Sequence, residues 1–255
     1  GEDPCLGSAM ARAAVGGFQG EDLADANAVV ACPKHYVAYG GAEGGRDYNT
    51  VDISERTLRE VYLPPFRAAI VDAGAGTVMS AFNDLSGVPA SANRHTLTDI
   101  LRGEWRFRGF VVSDWNSVGE LVNHGIAGDS VEASREALIA GVDMDMCADA
   151  YRRGLGKLAR GRRLPVRAID EAVRRILRIK FKLGLFEHPY VDPELAGKVI
   201  KGKENVDLAL DAARRSIVLL RNEGDLLPLR KDIGSMAIIG PLTDDHVAPL
   251  GSWSC

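Results

Sequence analysis

Gly109-Phe110-Val111-Val112-Ser113-Asp114-Trp115 reads as a buried strand that stops at a carboxylate. The β-prone apolar run Phe110 to Val112 gives way to an Asp held between a hydroxyl and an indole. In parallel α/β proteins, ligands bind just past the carboxyl ends of the strands. A carboxylate placed there, with an aromatic ring beside it, suits the nucleophile of a sugar-cleaving enzyme. The same residues also read as a helix start, since Asp is a favoured N-cap and a helix-like run follows from Val118. This segment alone leaves both readings open.

Outward from it, strand and helix signals alternate. A small-residue-rich helix is expected over Leu6 to Gln19 and a buried strand over Ala28 to Lys34. A long helix follows, opened by Ser54 as N-cap and running to about Asp72, which Pro64-Pro65 should kink or split. Strands are expected at Gly76 to Phe82, Phe110 to Ser113 and Gly141 to Met146. Helices are expected at Thr96 to Arg106 and Val131 to Ala140. Pro165 to Leu183 is a strongly amphipathic helix with Gly184 placed for its C-cap. Such βα units in series imply parallel strands, in either a doubly wound sheet or part of a (β/α)8 barrel.

After Leu185 the texture changes. Residues 186–203 read as a linker, and 204–255 as the start of a second α/β domain. That start comprises a helix from Glu204 to Leu220, a turn at Leu226 to Leu229 and a strand at Met236 to Ile239. Residues 1–185 are then the portion that carries the strand-end carboxylate. The chain has 255 residues, and both ends read as cuts in a longer sequence.

Composition excludes several classes. The net charge of −4 includes no basic cluster for nucleic acid. No run of about 20 apolar residues is present to span a membrane. Cys5, Cys32, Cys147 and Cys255 are widely spaced and form no C-x-x-C pair, so zinc and thiol-redox chemistry are not indicated.

Other strand ends carry polar groups. Lys34-His35-Tyr36 can bind hydroxyls or lower the pKa of a nearby carboxyl, or can be mere surface charge. The loop from Tyr39 to Asn49 holds four glycines with Glu43, Arg46 and Asp47. It can approach a ligand closely, but it does not match a phosphate-binding loop. Met79 to Asn83 closes another strand. Asp143 and Asp145 share a face, where they could meet ligand or pair with cations of the core; pairing is the favoured reading.

In order and spacing, Gly1-Glu2-Asp3-Pro4, Lys34-His35-Tyr36, Val112-Ser113-Asp114-Trp115 and Ala140-Gly141-Val142-Asp143-Met144 resemble glycoside hydrolase family 3. Glu43-Gly44-Gly45, Tyr48-Asn49-Thr50-Val51-Asp52, Gly184-Leu185-Phe186 and Gly251-Ser252-Trp253-Ser254 extend the resemblance across essentially the whole chain. The resemblance implies a (β/α)8 barrel followed by a linker and an α/β sandwich. It implies that Asp114 is the nucleophile of a retaining β-glucosidase, with possible β-xylosidase or α-arabinosidase activity. Lys34, His35, Trp115, Met79 and Arg46 would bind the sugar. Substrates would be small β-glucosides or cello-oligosaccharides, with no cofactor and no metal, in the periplasm or outside the cell.

The family's acid/base Glu would lie beyond Cys255, and its first barrel strands before Gly1. Glu43 or Asp47 could stand in as acid. The family's N-acetylglucosaminidase branch places a His where this chain has Tyr39, so that branch is not indicated. Two other readings remain. Lys34 could form a Schiff base with a carbonyl substrate. Alternatively, the half-barrel could be non-catalytic, or could self-associate into a homo-oligomer to cover its strand edges.

Overall fold

The computed structural model describes residues 3–251. Gly1, Glu2, Ser252, Trp253, Ser254 and Cys255, parts of the terminal motifs, lie outside them. The chain divides into two compact units, Gly1–Val191 and Asp192–Cys255.

In the first unit, helix α1 spans Pro4–Gln19, and α2 covers residues 55–72. Then come α3 at His95–Glu104, α4 at Ser130–Ala140, α5 at Ala150–Arg160 and α6 at Val166–Lys182. The strands are β1 at Thr77–Met79, β2 at Asp84–Leu85, β3 at Val88–Pro89 and β4 at Phe110–Val112. Helix starts follow local chemistry. Asp3 accepts the Leu6 N–H at 2.8 Å, Ser54 Oγ the Thr57 N–H at 3.1 Å, and Asp129 the Glu132 N–H at 2.8 Å. Gly184, at φ 64°, follows α6 where a left-handed residue closes a helix.

Pro64 and Pro65 do not split α2. The helix widens to π turns at Leu58–Tyr62 and Ala68–Asp72, on either side of the prolines. The wider turn carries the chain past two residues that lack an N–H.

β1 and β4 pair in parallel, with Val78 opposite Val111 and Met79 opposite Val112. Both expected flanking strands lie in register beside this pair, but neither forms a regular strand. On one side, Thr77 and Met79 donate to the carbonyls of Ala31 and Pro33, and Tyr36 donates to Met79 O at 2.8 Å. Pro33 has no N–H to return, so the ladder is incomplete. On the other side, the Asp143 and Met144 amides both converge on Val111 O, a local irregularity that leaves only a Val112–Met144 bridge. The parallel order is therefore residues 31–36, β1, β4, residues 143–146.

Val78, Val111, Leu97, Ile100 and Leu101 are fully buried at the centre of the core. Each such aliphatic residue contributes roughly 1.5–3 kcal/mol through burial. Gly109 opens β4 because a Cβ there would stand 2.0 Å from Gly76 O, so only glycine fits. β2 and β3 form a hairpin turned by Ser86 and Gly87, both at positive φ. Asp84 of that hairpin accepts Thr50 Oγ1 at 2.7 Å, which anchors the end of the glycine-rich loop.

In the second unit, α7 spans Pro193–Ile200, within the segment read as linker, and α8 spans Lys203–Ser216. The expected helix to Leu220 stops at Ser216, and residues 217–220 are exposed. The strand expected at residues 236–239 is not formed. A strand is stable only against partners, and no described residue of this unit supplies one. The turn near Leu227 is closed by Asn222, which bonds both Leu227 N and Leu227 O at 2.8 Å.

Candidate active site

Ser113 sits just past β4 and ties two strand ends together. Its Oγ accepts the Met146 N–H at 2.8 Å and donates to Asp114 O at 3.0 Å. Asp114 is only 8% exposed. Its Oδ1 accepts the N–H of Trp115 at 2.7 Å. The side chain does not reach the amides further on, and turns follow it rather than an α-helix. The helix-cap reading of Asp114 is therefore set aside. Its Oδ2 is buried and accepts no hydrogen bond from the protein. His35 Nε2 lies 3.3 Å from that oxygen, close enough for strong electrostatic contact but not aligned as a donor. A buried carboxylate oxygen without a donor is costly, and such groups mark functional sites.

His35 is half-buried. Burial pushes its pKa below 6.5, against the opposing pull of Asp114 and with help from the Lys34 charge. The imidazole is thus favoured in its neutral form. Lys34 is exposed and makes no ion pair among the described residues. Trp115 is 59% exposed, next to the carboxylate. Met79 is buried in β1, in register with Val112, and its carbonyl holds the Tyr36 amide.

The glycine-rich loop reaches this site through aromatic rings. Tyr39 stands edge-on to His35 at 5.3 Å and to Tyr48 at 6.5 Å, and Phe82 packs on Tyr48 at 4.4 Å. Asp47 accepts the Tyr39 hydroxyl and the Tyr48 N–H. Burial and this carboxylate push the Tyr39 phenol up, so it stays a donor. Glu43 and Arg46 are exposed on the same loop, and neither side chain makes an ion pair among the described residues. The structure thus gathers Asp114, His35, Trp115 and, through Tyr39, Asp47. It gives Lys34, Arg46 and Glu43 no direct bond to that group.

Asp143 belongs to the core. Its side chain is 1% exposed, held by Arg102 at 2.5 Å, Arg175 at 2.8 Å and the Val111 N–H at 2.8 Å. Asp145 accepts the Tyr151 N–H at 3.1 Å. The pairing role expected for Asp143 is the one it has. No cluster of three or more His, Cys, Asp or Glu side chains among the described residues could hold a metal ion.

Three features escaped the reading of the sequence. Tyr48 and Phe82 form the aromatic wall. Ser80, Ser91 and Ser117 form a buried hydroxyl chain, linked at 2.8 Å and 2.8 Å, and the Ser117 N–H donates to the backbone carbonyl of Asp114. Glu120, half-buried, follows Asp114 by six residues, and its pKa is raised by burial and, in smaller part, by Asp114. Tyr48 had a signal in the glycine-rich motif, and Ser80 and Phe82 in the Met79 to Asn83 strand end.

A parallel α/β unit with a buried carboxylate at a strand's carboxyl end defines a class of protein that works on ligands at that end. Comparison gives the family. Residues 1–179 match the glycosyl hydrolase family 3 N-terminal domain. The chain belongs to this family. It is 42% identical over 259 residues to a periplasmic beta-glucosidase of Salmonella typhimurium, which covers 100% of this chain and 34% of that protein. It is 42% identical over 265 residues to a beta-xylosidase of Formosa agariphila, covering 99% of this chain and 36% of that protein. A beta-glucosidase from Listeria innocua, solved with laminaribiose, superposes with a TM-score of 0.86 at 43% identity, over 91% of this chain and 32% of that one. The chain spans about a third of the length of these relatives.

Proposed function

We propose that this chain carries the nucleophile half of a retaining β-glucosidase, which removes terminal β-D-glucosyl residues from small β-glucosides or cello-oligosaccharides. The observation that carries the reading is the buried, unpartnered Oδ2 of Asp114 at the end of β4, beside a neutral His35. In this reading Oδ2 attacks the anomeric carbon as the bond to the leaving oxygen breaks. That oxygen departs with a proton from an acid. Water then gives a proton to the conjugate base of that acid and attacks the anomeric carbon of the glycosyl ester, which restores acid and carboxylate and releases glucose with retained configuration. His35 and Lys34 bind hydroxyls of the sugar, and Trp115 offers a stacking face. Met79 and Arg46 line the same sugar site. No cofactor or metal takes part.

Residues 1–185 would be the carboxyl-terminal portion of a (β/α)8 barrel, 186–203 a linker and 204–255 the start of an α/β sandwich. The beta-xylosidase relatives extend the reading to β-xylosides and α-arabinosides. The periplasmic relative supports a site of action in the periplasm or outside the cell.

The acid does not come from the glycine-rich loop in this reading. Asp47 is engaged by Tyr39, and Glu43 is exposed without a partner near Asp114. A leaving group that needs no protonation separates nucleophile from acid. Incubation with dinitrophenyl 2-deoxy-2-fluoro-β-glucoside should add one fluoroglucosyl group to the intact mass. Peptide mapping should place it on Asp114, and Asp114→Asn should abolish it. Folded, unlabelled wild-type protein would favour a non-catalytic, self-associating module, a reading supported by the exposed Leu6, Met10 and Phe18 of α1.

A further inference from the structure

A cavity of about 280 Å3 opens at the opposite end of the central strands from Asp114. Gly76 and Gly109, which precede β1 and β4, lie in its wall. Its cations come from two places in the chain. Arg106 and Arg108 stand between α3 and β4, and Arg178 and Lys182 lie in the last turns of α6. No Asp or Glu lines it. Carboxylates close by in sequence already have partners: Asp72 is held by Arg12 and Arg67, Glu104 by Arg59, and Glu171 by Arg174. The four lining cations are exposed and make no ion pair among the described residues.

Ile70, Phe107 and Ile179 back the cavity and are buried. Cations set against such an apolar wall focus their field into the opening. Two backbone amides of the wall are already taken. Ala75 N donates to Ala69 O at 3.0 Å, and Gly76 N to Gln19 Oε1 at 3.0 Å. Recognition therefore falls to the side chains. Arg178 Nη1 donates to Arg108 O at 2.9 Å, which joins the two cationic segments. A guanidinium has five N–H donors, so most of those on Arg178 stay open. Arg178 and Lys182, four residues apart on α6, share a face. Arg106 stands at φ 57°, directly after Trp105, the C-cap of α3. Gly or Asn is the usual residue in that left-handed position, so the arginine side chain is not what the turn requires.

We infer that this cavity binds the diphosphate group of a soluble phosphate ester. Two linked phosphates give each pair of cations an anion, and arginine forks match phosphate oxygens in bidentate fashion. The volume lies near the ~300 Å3 lower end of small-ligand clefts, so the charged group fits and the rest of the ester stays outside. A single carboxylate would leave most of these cations unmatched. The site does not depend on the glucosidase reading, since Asp114 lies past the other end of β4.

Isothermal titration of the whole chain with pyrophosphate and with orthophosphate at low salt tests the assignment. Pyrophosphate should bind one to one, about tenfold more tightly than orthophosphate, and more weakly as salt rises. Arg106→Gly and Lys182→Gln should each weaken it about fivefold. Glycine suits the left-handed position and Lys182 is exposed, so thermal melts should show both variants folded. Arg167→Gln removes the same charge from the far end of α6, roughly 16 Å from Arg178, and should change affinity less than about twofold. Equal weakening in Arg167→Gln would mark an adventitious ion only and overturn the inference. So would folded protein that shows no saturable binding of pyrophosphate. Binding to phosphatidylglycerol vesicles without binding of pyrophosphate would also overturn it, in favour of a membrane-facing patch. None of these outcomes bears on the fluoroglucosyl label at Asp114.

Discussion

Asp114 and His35 form the pair on which the proposed chemistry turns, and their electrostatics make a measurable claim. Burial lowers the His35 pKa below 6.5, while Asp114 partly restores it. A group whose folded pKa is depressed binds fewer protons than it does unfolded. It therefore supports stability above about pH 6.5, and that support is lost as pH falls through the lowered value. Removing the Asp114 charge removes the restoring pull. An NMR titration of the His35 ring should give a pKa below 6.5 in wild type and a lower one in Asp114→Asn. A rise in that variant would mean that the carboxyl and imidazole do not interact as their 3.3 Å separation implies. The sequence made this pair visible, since each residue stands at the end of an apolar run. It could not show that Asp114 Oδ2 is free of donors, because that depends on which amides the chain turns toward it. Nor could it remove the helix-cap reading of Asp114, because Asp is a favoured cap and only the turns after it show that no α-helix starts there.

The elements holding this pair depend on one buried charge cluster. Asp143 brings Arg102 of α3 and Arg175 of α6 onto the amide of Val111 in β4. Burial lowers the Arg102 pKa, and Asp143 opposes that shift. Deleting one partner strands the others, so Asp143→Ala should cost about 3–5 kcal/mol. Urea denaturation with matched slopes would measure it, and a loss below about 1 kcal/mol would show that the arginines relax into water. Asp143 was legible as a paired residue from its place in the alternating Asp143-Met144-Asp145-Met146 run. Its partners were not, since they come from α3 and α6, far away in sequence. The flanking strands were legible as buried extended segments. Their irregular form was not, because it depends on the missing Pro33 N–H and on two amides sharing the Val111 carbonyl. The π turns of α2 belong with these: prolines announce a disturbed helix, and only packing decides between a break and a widened turn.

At the scale of the whole molecule, the first unit leaves two apolar helix faces open. On α1, Leu6, Met10 and Phe18 are 60%, 65% and 58% exposed. They fall at intervals of four and eight residues, which places them along one side of the helix. On α6, Val166, Val173, Leu177 and Phe181 form a second exposed row. Contiguous apolar surface of this kind drives association in water. Sedimentation velocity should therefore show mass rising with concentration in the micromolar range. Met10→Glu together with Phe18→Glu places charge on the α1 face without touching β1, β4 or Asp114. That double variant should shift the distribution toward monomer and leave the melting temperature nearly unchanged, because neither side chain is buried. Wild-type protein that stays monomeric at every concentration, and binds no hydrophobic dye, would show that these faces find cover within the chain. If the double variant is monomeric and still takes the fluoroglucosyl label, association and catalysis are separate properties. If it loses the label while remaining folded, the sugar site is completed by a second copy, and the half-site reading of Asp114 becomes that of a shared active site.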